Sequence, residues 1–76
     1  MNREEADQLA ARMVVDDPDI IINGVRAWAA GFSAAPSFVV AVDDPRSGSS
    51  ANIKSAEEWE KLMEARRSRG ATYTIP

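Results

Sequence analysis

A chain of 76 residues with 28% charged and 45% hydrophobic content is expected to be one small folded domain, not a disordered segment. Its formal net charge of −3, from 12 acidic and 9 basic residues, disfavours a partner gripped chiefly through phosphates. The absence of Cys removes disulfides and thiolate metal sites, and the absence of His removes the commonest general base and transition-metal ligand.

Residues 2–15 are predicted to form a helix. Ala6, Leu9, Ala10, Met13 and Val14 recur at i, i+3, i+4, i+7 and i+8, which is one face of a 3.6-residue period. Asn2 and Glu5 have the spacing of a capping box, and Pro18 pushes Asp17 out of the helical region. Residues 19–31 then turn β-like, interrupted by Asn23-Gly24. That pair suits a two-residue hairpin turn, because both positions tolerate positive φ. The preceding arm, Ile20-Ile21-Ile22, is short for a hairpin, which favours one bent strand with a bulge at Gly24.

Gly31 to Pro36 is a run of mostly small residues suited to a turn. Residues 37–43 form a strand apolar on both faces, as a central strand would be. Asp43 to Ser50 is a polar turn with Gly48 at a positive-φ position, and residues 51–54 return as a short strand. Ser55-Ala56-Glu57-Glu58 is a capping box opening a second helix over residues 56–69, with Trp59, Leu62 and Met63 inward, Arg66 at the next position that could join that stripe, and Gly70 at its stop. In residues 71–76, Ala71, Tyr73 and Ile75 alternate with threonines, consistent with an added edge strand or a tail lying on the core. The expected fold is α+β: a two-layer α/β sandwich of order α-β-β-β-α, both helices on one face of a small antiparallel sheet.

No run approaches the roughly 18 apolar residues that cross a bilayer. Met1 to Glu5 is charged with no apolar run behind it, unlike a signal peptide, so a cytoplasmic location is expected.

Two Asp-Asp-Pro triplets, at 16–18 and 43–45, punctuate the chain. Together with Asp19 they offer five carboxylates that would suit a hard cation if brought together, but Asp before Pro is also ordinary turn chemistry and no EF-hand spacing exists. No metal or other cofactor is expected. Arg66, Arg67 and Arg69 suit phosphate contact, yet they also stand where cations stabilise a helix end. The element order is similar to that of the double-stranded RNA-binding domain. In that family the second helix opens with a Lys-rich, phosphate-gripping segment. Here that place reads Ser55-Ala56-Glu57-Glu58-Trp59-Glu60, of opposite sign, so no RNA-contacting residue is carried across.

Trp28 divides two registers. If Val25 and Ala27 face the helices, Arg26 and Trp28 lie on the far side of the sheet as part of an apolar surface that a two-layer domain leaves uncovered. In the opposite register Trp28 is core and Val25 lies outside. Catalysis has little to work with: the serines have no His to activate them, and the glycines match neither a P-loop nor a dinucleotide fingerprint.

By subtraction, the chain is expected to be a small non-catalytic module acting by protein–protein contact or self-association, of the accessory or inhibitor-like kind carried by phage or mobile elements. Arg26, Trp28, Asp43 and Asp44 are its candidate contact residues. No small-molecule substrate is expected. The alternative is a nucleic-acid-binding module using Arg46, Arg66, Arg67 and Arg69.

Overall fold

The computed structural model describes residues 1–28 and 37–69. The expected turn at Gly31 to Pro36, the Gly70 stop, the strand-like tail and the Arg69 side chain lie outside the described residues. Helix α1 spans Arg3–Asp16. Asn2 caps it reciprocally, its side chain accepting from the Glu5 N–H at 2.7 Å while the Glu5 carboxylate accepts from the Asn2 N–H at 2.9 Å. At the other end Asp17 turns extended, and its N–H still donates to the Met13 carbonyl at 2.9 Å. The buried stripe is Ala6, Leu9 and Met13. It is narrower than the sequence suggests, because Val14, at the flank of that i, i+3, i+7 line, stays exposed.

Strand β1 (Ile21–Trp28) starts two residues later than expected. The preceding residues close a turn in which the Asp17 side chain accepts from the Asp19 N–H at 3.3 Å. Strand β2 (Ser37–Asp44) lies between β1 and β3 (Ser49–Ile53) in an antiparallel sheet of order β1-β2-β3. The β1–β2 register shifts between Ile22 and Gly24, so Asn23-Gly24 is a bulge in one continuous strand. Gly24 sits at φ +149°, a region that disfavours side chains.

Strands β2 and β3 pair as far as Asp44↔Ser49, closing more tightly than the polar sequence suggests. Their loop is held by the Gly48 N–H on the Asp44 carbonyl at 2.8 Å, with Gly48 at φ +70°. Helix α2 covers Ala56–Arg69. The Ser55 hydroxyl caps the Glu58 N–H at 3.1 Å, while the Glu58 carboxylate reaches the Lys54 N–H at 2.8 Å instead of Ser55 itself.

The register puts Val40, Val42 and Ile53 on the inner face, where they pack with Ala6, Leu9 and Met13 of α1 and Trp59 of α2. Val25, Ile22 and Phe38 pack partly buried against that cluster. One α-helical layer therefore lies on one face of a three-stranded antiparallel sheet, an α+β fold of order α1-β1-β2-β3-α2. No helix among the described residues is long and apolar enough to cross a membrane.

Candidate functional site

The two Asp-Asp-Pro triplets meet, and arginine joins them. Asp17 and Asp44 are each only 1% exposed. Arg46, in the β2–β3 loop, clasps Asp44 through Nε at 2.9 Å and Nη2 at 3.2 Å, and its own N–H donates to the same carboxylate at 3.0 Å. The Arg46 Nη2 also donates to Asp17 Oδ2. Arg66, from α2, reaches that same Asp17 oxygen at 2.9 Å, and Asp19 stands 3.8 Å from Arg46. Hydrogen bonding to Asp44 first, then to Asp17, raises the Arg46 pKa well above the ordinary guanidinium value. Two buried carboxylates are thus neutralised by two guanidinium groups, as burial of charge demands.

Asp16, next in line, does different work. It accepts from the indole N–H of the fully buried Trp59 at 2.9 Å and pairs with Arg12 at 3.3 Å, while Arg12 reaches Glu60 at 3.1 Å. The bond to Glu60, ahead of the charges of Glu60 and Asp16, raises the Arg12 pKa. The acidic residues at this end therefore tie α1, α2 and the β2–β3 loop to one another. Among the described residues no group of three or more carboxylates is placed to hold a metal ion.

The outer face of the sheet, away from the helices, has a different character. The register gives it Ile21, Arg26 and Trp28 from β1, Val39, Ala41 and Asp43 from β2, and Ser50 and Asn52 from β3. Lys54 follows on the same side, its Nζ 5.3 Å from the Trp28 ring centroid. Of the apolar members, Val39 is 2% and Ala41 5% exposed, whereas Trp28 is 43% exposed. This face is mostly polar, so the apolar flank expected from the sequence reduces to Trp28, with Ile21 at the far end.

At the bulge end, Asp43 accepts from the Ser50 hydroxyl and the Asn23 amide, each at 2.6 Å. Those bonds, Ser50's the larger, hold its carboxyl below the ordinary carboxylate range, aided by the charge of Arg26. Between the two ends Gly24, Ala41 and Asn52 share a row, and a shallow depression opens there beside Arg26, Asn23 and Asp43. A second groove, between α1 and the start of α2, has Gln8, Arg12 and Glu57 at its rim, and Arg12 is already spent on Asp16 and Glu60.

Of the contact residues expected from the sequence, Arg26, Trp28 and Asp43 share the outer face. Asp44 does not: its position in β2 points inward, where Arg46 holds it. Of the residues named for nucleic acid, Arg46 and Arg66 are taken up by Asp17 and Asp44, and Arg67 is exposed. Lys54 and Asn52 were missed as members of the outer face. The alternation Ala51-Asn52-Ile53-Lys54 carries the signal, since an inward Ile53 sends both neighbours outward. No protein-family model matches the chain, and neither a curated protein nor a solved structure matches it.

Proposed function

We propose that this protein is a non-catalytic binding module that engages another protein through the outer face of its sheet, with Arg26, Trp28 and Asp43 among the contacts. One observation carries the reading: a large aromatic side chain, Trp28, stands 43% exposed on the face that carries Arg26 and Lys54, neither of which forms a salt bridge among the described residues. Tryptophan and arginine are the residue types that most often dominate binding energy at an interface. The hydroxyls support the non-catalytic part, since Ser50 serves Asp43 and Ser55 caps α2. A phosphate-binding reading loses Arg46 and Arg66 to internal ion pairs.

The test compares tagged wild-type chain with Trp28→Ala in affinity capture from the native cell, alongside thermal melting of both. The reading expects a partner retained by the wild type and lost by the variant, with melting midpoints within a few degrees. Identical captures would defeat it, and so would a large fall in midpoint, which would make Trp28 a structural residue.

A further inference from the structure

The charges of the outer face specify what kind of partner fits it, an inference that rests on that face being the contact surface. Among the described residues Arg3 pairs with Asp7, Arg12 with Asp16 and Glu60, Arg46 with Asp17 and Asp44, and Arg66 with Asp17. Arg26 and Lys54, like the exposed Lys61 and Arg67 of α2, form no salt bridge among the described residues, and Arg26 acts on Asp43 only through its charge, although acidic residues outnumber basic ones 12 to 9 in the chain. Both stand at one end of the outer face, on opposite sides of Val39. Arg26 is paired with Val39 in the ladder, and Lys54 follows directly on the Ile53↔Val40 pair. Outer strands are separated by two inter-strand spacings, roughly 10 Å. Lys54 leans across that gap to the Trp28 ring, and Arg26 lies two residues from Trp28 on the same face of β1.

The geometry points to an acidic polypeptide segment as the occupant, its carboxylates meeting Arg26 and Lys54 and an apolar side chain resting on Trp28. Two cations suit a few carboxylates. A nucleic-acid strand, by contrast, gains affinity from many phosphate contacts at once. The ionised Asp43 at the other end of the same face repels a continuous polyanion and sets the polarity in which a mixed-charge segment lies.

The probe is a fluorescein-labelled synthetic peptide with glutamate and leucine alternating on one face of an extended chain and serine on the other. Controls are the lysine-for-glutamate peptide and a labelled oligothymidylate of similar length. The acidic peptide is expected to bind, to weaken between low and moderate salt, and to shift the indole N–H resonance of Trp28 while leaving that of Trp59 in place. Arg26→Gln and Lys54→Gln should each weaken it about fivefold, the worth of an exposed ion pair. Both variants are checked by thermal melting, and the charge-reversing Lys54→Glu serves if Arg26→Gln melts early. The proposal is overturned if the lysine peptide binds as well, if oligothymidylate binds more tightly, if the shift falls on Trp59, or if the chain instead dimerises through Arg26 and Lys54. Should cellular capture depend on Trp28 while being indifferent to both cations, the contact surface stands and its acidic specificity falls.

Discussion

Asp17 and Asp44, which close the first helix and the central strand, share a single guanidinium, that of Arg46. Each carboxylate is nearly inaccessible to water. Removing the shared cation therefore takes the guanidinium clasp from Asp44 and leaves Asp17 with Arg66 as its cation. Arg46→Met is expected to cost about 3–5 kcal/mol by urea denaturation, the usual penalty for breaking a buried pair on one side. Replacing both Asp44 and Arg46 by apolar residues should cost less than the sum of the single changes, and strict additivity would show that the two act independently.

Trp59 fills the core and also donates its indole N–H to Asp16. Trp59→Phe keeps most of the apolar volume and loses that bond, so the expected cost is about 1–3 kcal/mol. Asp16→Asn keeps an acceptor for the indole but weakens the pairing with Arg12, an exposed contact, and should cost under about 1 kcal/mol. Equal losses from the two changes would mean that the indole bond contributes little.

Gly24 has open space where a side chain would begin: nothing lies within 4 Å of a built Cβ. Its φ of +149° is the difficulty. Gly24→Ala should therefore destabilise by roughly 1–3 kcal/mol through backbone strain alone. A crystal structure of the variant should show either a straightened strand or the strained bulge retained. An unchanged melting midpoint would argue against strain at this position.

Asp43 is held ionised by Ser50 and, to a lesser degree, Asn23. A carboxylate whose pKa is depressed on folding stabilises the fold above its unfolded pKa, near 3.9, and loses that contribution as pH falls through the folded value. Ser50→Ala should move the Asp43 titration, followed by carbon-detected NMR, up toward the ordinary carboxylate range. Asn23→Ala should move it less. Neither should alter stability at neutral pH by much, because Asp43 is open to solvent.

Much of this fold was legible because its local signals agree. Asn2 with Glu5, Ser55 near Glu58, and Gly48 in a loop each name a boundary that the structure keeps within a residue or two. Strand β2 announced itself by being apolar on both faces, and Val25 turned inward with Trp28 outward, one of the two registers the sequence allowed. What was hidden is long-range pairing. Nothing local says that Asp17 will meet Arg46 and Arg66, or that the indole of Trp59 will find Asp16, since these contacts join residues far apart in sequence. The same ambiguity misplaced Asp44: an Asp before Pro reads as a surface turn, and only strand phase reveals that it points inward.

Helix α2 is fastened to two consecutive residues where α1 ends, Trp59 to Asp16 in its last turn and Arg66 to the capping Asp17. Peeling α2 away would open the core at Trp59 and unsheathe a charge at Asp17 in a single event, with no half-detached arrangement of low energy. Amide protection in the last turn of α1 and the middle of α2 should consequently be lost together, so that the two helices unfold as one cooperative unit.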